Sequence, residues 1–171
     1  MRNYDSFSAT VERGRPLLVE NREATSTGDY PAILGWFSAQ SEWTADTARI
    51  GSLMIYGWMP TILRTEKTNF EQFADTLNYL KLGGQPEIEQ PFVNASWVGT
   101  SKFLHFLKPN QWAIWDSRVC TALGWGSSPN DAGKFSDYQK FCRLFAAENE
   151  GVSLREIEQC LYLLDKKKPD G

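Results

Sequence analysis

Apolar residues recur every three or four positions through most of this chain, the spacing that gives a helix one buried face. The clearest run is Phe70, Phe73, Leu77 and Leu80 in FEQFADTLNYLKL. Asn69, a good helix cap, precedes it, and Gly83-Gly84 closes it. Pro31 suits the first position of a helix running through Trp36 and Phe37. Thr44, followed by Asp46 and Thr47, opens another, in which Ile50, Leu53 and Met54 recur at helical spacing before Gly57 and Pro60 interrupt. Pro86 begins a shorter segment that ends near Ala95. Further on, Ser136 is the expected cap of a helix with Phe141, Leu144 and Phe145 on its apolar face. Ser153-x-x-Glu156 is a capping box ahead of Ile157, Leu161 and Leu164.

The stretch Trp97–Val119, WVGTSKFLHFLKPNQWAIWDSRV, reads as turn, helix, loop and helix. Trp97-Val98-Gly99 forms the turn and Ser101–Leu107 the helix, with a break at Pro109. Asp116 or Ser117 then caps DSRVCTALG, which Gly124 ends. Gly, Ser and Pro dominate 124–133, marking a surface loop. Residues 1–30 show no clear period. They read as an irregular N-terminal arm, with an apolar patch at Pro16–Val19, a loop ATSTGD, and the one weak strand candidate. The pattern predicts an all-α fold, a single domain over 1–171 in which 1–30 is an irregular or strand arm.

Composition agrees with a packed core: 42% of residues are hydrophobic and 13% aromatic, too many for a disordered chain. No run of about 18 apolar residues is present, so no membrane span is expected. MRNYDSFSATVERGRP lacks the apolar core of a secretion signal. Cys120, Cys142 and Cys160 include no CxxC pair. Their odd number and wide spacing fit reduced, buried thiols and a cytoplasmic location. No metal or cofactor is expected. Three cysteines exclude a four-cysteine iron–sulfur cluster, and zinc would have to recruit the lone His105.

The net charge of −3 does not suit a protein that coats nucleic acid, but its distribution is uneven. Acidic residues outnumber basic ones from Tyr30 to Ser96. From Trp97 to Phe145 the balance reverses, with six basic residues (Lys102, Lys108, Arg118, Lys134, Lys140, Arg143) against Asp116, Asp131 and Asp137. Because screening limits distant charges to about 10 Å, a local basic face can hold phosphate on an acidic protein. Ordinary solvated helix faces would give the same count.

Within that basic segment, Lys102 and Asp116 form the pair with chemical promise. A turn–helix–loop–helix can bring an amine and a carboxylate to one concave surface. An amine there can attack a sugar carbon while a carboxylate supports the positive charge that develops. A lysine near a helix start and partly buried is favoured as the neutral, nucleophilic amine. Both residues also have plain readings: a solvated lysine on an amphipathic helix, and an aspartate that does no more than cap the next one.

With these residues in view, Trp97–Val119 resembles the catalytic core of the helix-hairpin-helix DNA glycosylase superfamily, nearest its 8-oxoguanine glycosylase-like members. That family has a G-x-G hairpin, a lysine nucleophile, an apolar helix, and an aspartate preceded by apolar residues. The matching stretches here are Val98-Gly99-Thr100-Ser101-Lys102, Phe103–Leu107 and Ala113-Ile114-Trp115-Asp116. Trp97 stands in place of the hairpin's first glycine, Lys102 follows Gly99 by three residues where two is usual, and the lysine–aspartate interval is short. The resemblance implies a helix-hairpin-helix fold. It further implies excision of a modified or damaged base from DNA, with Lys102 as nucleophile, Asp116 as its electrostatic partner, and strand cleavage by elimination through an imine.

The same resemblance implies a DNA partner held by its phosphate backbone and by one flipped base. Gly99, Thr100 and Ser101 would present hairpin N–H groups to phosphate, with Lys108 and Lys134 adding charge. One of Trp97, Trp112 and Trp115 would stack on the extruded base, where core packing is the ordinary place for any single tryptophan. His105, one turn from Lys102, would face the same cleft or pack among Leu104, Phe106 and Leu107, and Arg118 would meet a phosphate or an acidic neighbour. Trp36, Trp43, Trp58 and Tyr56 are candidates for a far pocket wall, with no spacing to place them. Two other classes compete: a non-catalytic helix-hairpin-helix module binding DNA or protein, and a defence or regulatory protein holding a free nucleotide in an aromatic cleft.

Overall fold

The structure, a computed structural model, describes residues 2–21, 28–59, 61–84, 88 and 90–167. Among these residues every regular element is helical and no strand occurs. The helices are α1 (Tyr4–Glu20), α2 (Tyr30–Ala39), α3 (Ala45–Trp58), α4 (Phe70–Lys81), α5 (Trp97–Leu107), α6 (Ser117–Ala122), α7 (Ala132–Glu148) and α8 (Leu154–Lys167), with a 3₁₀ turn at Thr65–Lys67. None is long and apolar enough to cross a membrane. The chain divides into two compact units. One is continuous, 28–108, and holds α2–α5. The other joins residues 1–27 to 109–171 and so combines α1 with α6, α7 and α8.

Most helix starts follow the expected caps. Thr44 and Thr47 cap each other's backbone at the start of α3, Asn69 accepts from the Gln72 N–H at α4, and Ser153 and Glu156 form a reciprocal box at α8. α4 ends where Gly83 takes φ +96° and the Gly84 N–H reaches back to the Tyr79 carbonyl. Other starts differ from expectation. α7 begins at Ala132, four residues before Ser136, because Asp131 accepts the Lys134 N–H at 2.8 Å. Pro86, where a shorter segment is expected to open, lies outside the described residues; that segment's end, Asn94-Ala95, is a turn with φ of 56° and 49°.

The N-terminal arm is the main correction to the predicted fold. Residues 4–20 are neither irregular nor a strand: they form a 17-residue helix capped by Asn3, whose side chain accepts the Ser6 N–H at 2.8 Å. Its buried residues are Phe7, Thr10, Val11, Gly14 and Leu17, which is helical spacing. Two of the five are not apolar, so the stripe does not stand out in a hydropathy pattern. Thr10 turns its hydroxyl onto the Ser6 carbonyl at 2.8 Å, and Pro16 lies on the exposed side. The ATSTGD loop lies largely outside the described residues.

A second correction concerns α3. Ile50 and Leu53 are exposed at 46% and 53%, and the buried face is Ala48, Gly51, Ser52, Ile55 and Tyr56. Small residues face inward because large rings need the space: a Cβ on Gly51 would lie 3.1 Å from Phe103 and 3.2 Å from Phe37. These rings belong to an aromatic core in the 28–108 unit. Phe103 is fully buried, with ring centroids 4.9 Å from Phe37, 5.4 Å from Trp43 and 4.7 Å from Phe73. In the other unit, Phe7 packs against Tyr138, Phe141 and Phe145 of α7. The Gln139 side chain there makes both amide hydrogen bonds to Ala113, at 2.9 and 2.7 Å, so the buried strand-like backbone before α6 is satisfied without a sheet.

α1 crosses α8 at Gly14, where a Cβ would sit 2.6 Å from the Cys160 carbonyl oxygen. The obstacle is backbone and cannot rotate away. Gly14→Ala is therefore expected to destabilise by about 2 kcal/mol in urea unfolding, although glycine-to-alanine inside a helix ordinarily stabilises by up to about 1 kcal/mol. Gly35→Ala in α2, where nothing lies within 4 Å of the new methyl, should show that ordinary gain.

Cys120, Cys142 and Cys160 are free and buried. Burial pushes the Cys120 and Cys160 thiols up to about 12 from their usual 9, and Cys142 also upward. The folded state holds these protons more tightly than the unfolded chain. Their contribution to stability is therefore complete below about pH 9 and falls away between about 9 and 12. At pH 8 a thiol reagent should leave all three untouched until denaturant is added.

Candidate functional site

α5 carries the lysine. Ser96 caps it, its hydroxyl accepting the Gly99 N–H at 3.4 Å, while the Thr100 N–H binds the Ser96 carbonyl at 3.0 Å. The turn expected at Trp97–Gly99 is thus the first turn of the helix itself. Lys102 sits about one and a half turns inside it rather than at its start. Terminal helix charge falls off beyond the first turn, so it contributes less to the amine than the sequence suggested. Lys102 is half-buried, and its Nζ lies over the Trp58 ring, 5.3 Å from the centroid.

Around that amine the 28–108 unit supplies more aromatic surface. Trp58 meets Phe106 at 5.4 Å and Tyr30 at 6.3 Å. The Tyr30 hydroxyl and His105 Nε2 are hydrogen-bonded at 2.7 Å. His105 is fully buried and packs on Tyr30 and Phe106, so it backs the aromatic wall and does not face open solvent as a cleft residue would. Trp58 was a candidate without a spacing argument. Tyr30 was missed altogether; its only signal was its place just before Pro31.

The other hairpin candidates are interior. Trp97 is 5% exposed, and Thr100 and Ser101 are fully buried. Thr100 accepts the Phe92 N–H at 2.8 Å through its hydroxyl, and Ser101 donates to the Val98 carbonyl at 2.9 Å. Gly99 is covered by Tyr56, whose hydroxyl would stand 2.3 Å from an added Cβ. Burial drives the Tyr56 phenol up to about 12. Gly99 is therefore a contact for a phenol, and its N–H is taken by Ser96. Before α5, the Asn94 side chain accepts from the Arg64 N–H at 2.7 Å and donates to the Ile62 carbonyl at 2.8 Å, tying down the chain that leads into the helix.

Asp116 belongs to the other unit. It is the N-cap of α6, with Oδ1 accepting the Val119 N–H at 3.0 Å, and it is half-buried. α6 continues to the Gly124 stop as expected, where Gly124 takes φ +69°. Trp115, just before it, is fully buried, donates to the Pro129 carbonyl at 2.8 Å and packs 5.0 Å from Tyr138, so it is core. Trp112 is half-buried and stacks parallel to Phe135 at 6.4 Å, with Arg143 5.9 Å over its ring. Arg118 binds Asp165 at 3.2 Å and lies over Tyr162, the acidic-neighbour alternative. Lys102 and Lys108 lie in one unit and the remaining basic residues of 97–145 in the other. Among the described residues no group of three or more His, Cys, Asp or Glu is placed to hold a metal ion.

The Gly99–Tyr56 contact sets the seating of the helix that carries Lys102. Gly99→Ala should destabilise by about 1–3 kcal/mol. Tyr56→Phe in the same chain should recover part of that loss, because the nearest clashing atom is the hydroxyl. A double-mutant cycle by urea unfolding measures the coupling.

Compared with known proteins, the chain matches no family model, no curated protein and no solved structure.

Proposed function

We propose that this protein is a DNA glycosylase that excises a modified or damaged base, with Lys102 as nucleophile and Asp116 as its electrostatic partner. The observation that carries this reading is the half-buried Lys102 amine lying against the Trp58 face, beside the Tyr30–His105 pair. An amine on an aromatic wall is the pairing that N-glycosidic cleavage asks for. A flipped base needs a flat apolar surface, and its sugar needs a nucleophile within reach of C1′. A base stacking on Trp58 competes with the ammonium for the same ring and moves the amine off it toward the sugar.

In the proposed reaction Lys102, its ammonium having given a proton to solvent, forms a bond to C1′ as the C1′–N bond breaks. The electron pair leaves with the base, which takes up a proton. Loss of the amine proton and opening of the sugar ring give an imine, from which elimination of the 3′ phosphate cleaves the strand. The role of supporting the cationic sugar is assigned to Asp116 by the resemblance of its stretch to the family's aspartate, and its Oδ1 accepts the Val119 N–H. The rival reading is a module that binds DNA or protein without turnover, favoured by the observation that Asp116 already caps α6.

Incubation with lesion-bearing oligonucleotides and borohydride tests the proposal. Wild type should form a covalent adduct that Lys102→Ala abolishes. Asp116→Asn is the informative partner, because asparagine caps a helix as well as aspartate. Stability should hold while single-turnover base release falls about a hundredfold. Absence of trapping and of base release across a broad lesion panel overturns the proposal, and salt-dependent DNA binding unaffected by Asp116→Asn would then favour the rival.

A further inference from the structure

A cavity of about 290 Å³ opens in the unit that contains α1, lined by Arg2, Asn3, Ser6, Gly124, Trp125 and Lys134 among others. Its makeup is unlike the aromatic core nearby. Two cations far apart in the sequence line one hollow together with a hydroxyl, a carboxamide and an indole. We propose that this pocket binds a phosphoryl group, the shared chemistry of a free nucleotide phosphate and of a nucleic-acid strand.

Each cation is fixed by contacts that leave donors over. Arg2 gives Nε to Asp137 at 2.6 Å and lies 5.7 Å over the Trp125 ring. One bond at Nε orients the guanidinium and leaves its terminal fork, which matches two phosphate oxygens in plane. Lys134 gives one of its three N–H bonds to the Ser128 carbonyl at 3.3 Å. Two carboxylates stand near, and each is engaged: Asp137 with Arg2, and Asp131 with the Lys134 backbone N–H. Lys134 thus reaches the pocket while its own main chain anchors the start of α7. Leu123, Gly124 and Trp125 line the pocket from the turn that follows α6, where Gly124 takes φ +69°.

A tetrahedral dianion fits this set better than a carboxylate does, since donors converge from a planar fork, an ammonium and a hydroxyl. The volume is that of a small-ligand pocket at the low end of the usual range, enough for a phosphate with part of its ester group. Trp125 provides a wall for that group and an optical reporter. The proposal involves neither Lys102 nor Asp116, so it stands or falls apart from the glycosylase reading.

The test titrates the full chain with inorganic phosphate and with a nucleoside 5′-monophosphate at low ionic strength, following phosphorus NMR line width and tryptophan fluorescence. Saturable binding is expected. It should weaken about tenfold or more in Lys134→Gln and in Arg2→Gln, each checked for native circular dichroism. Asp137→Asn breaks the ion pair but keeps the cation, so binding should persist, which a merely structural role for Arg2 would not allow. Trp125→Phe should remove the fluorescence change while the line broadening remains. Competition by a 5′-phosphorylated oligonucleotide but not by its 5′-hydroxyl form identifies a terminal phosphate as the source. Competition by both identifies the strand backbone, and by neither a free nucleotide. No saturable binding of either small probe up to roughly 10 mM, or binding equal to wild type in both cation variants, overturns the proposal.

Discussion

The packing of Phe103 decides more than any other contact. Its ring is fully buried where Phe37 of α2, Trp43 before α3 and Phe73 of α4 converge, and Gly51 of α3 makes room beneath it. A ring held from several elements has one rotamer and one depth, because interiors close-packed like crystals do not yield continuously. Lys102 is its neighbour in sequence on the same helix. The register that places Phe103 inside therefore turns Lys102 to the rim, against Trp58. The position of the candidate nucleophile follows from this apolar packing together with the Ser96 cap and the Phe92–Thr100 hydrogen bond that hold the start of α5.

Glycine and small polar residues make that packing possible, and they also limit what a hydropathy pattern reveals. The elements that read clearly are those whose buried stripe is apolar throughout, as in α4, or whose caps use Asn, Thr or Ser with Glu. α1 was unreadable because Thr10 and Gly14 occupy core positions. The α3 face was misassigned because exposed Ile50 and Leu53 outweigh the buried Ala48, Gly51 and Ser52 in any count of apolar residues. Both cases share one cause: close helix approach selects for small volume, and small volume carries little hydrophobic signal.

The candidate site was legible in a different measure. Asp116 at a helix start was readable because capping is local chemistry, set by residues within three positions. The surroundings of Lys102 were not, because Trp58 and Tyr30 arrive from helices distant in sequence. Several hairpin residues expected to face a ligand proved to be interior, Thr100 and Ser101 among them. Their hydroxyls satisfy nearby backbone groups, a use of Ser and Thr that spacing cannot distinguish from ligand contact.

The discontinuity of the α1-containing unit has a consequence for how the molecule is assembled. α1 packs on α8, and the whole of the 28–108 unit lies between them in sequence. Closing so long a loop carries an entropic cost that short-range helix pairs avoid. The continuous unit has every partner it needs within one stretch of chain as it leaves the ribosome. α1 must wait for α8, holding its amphipathic face exposed while the residues between them are made, and the nascent protein is most vulnerable to aggregation in that interval.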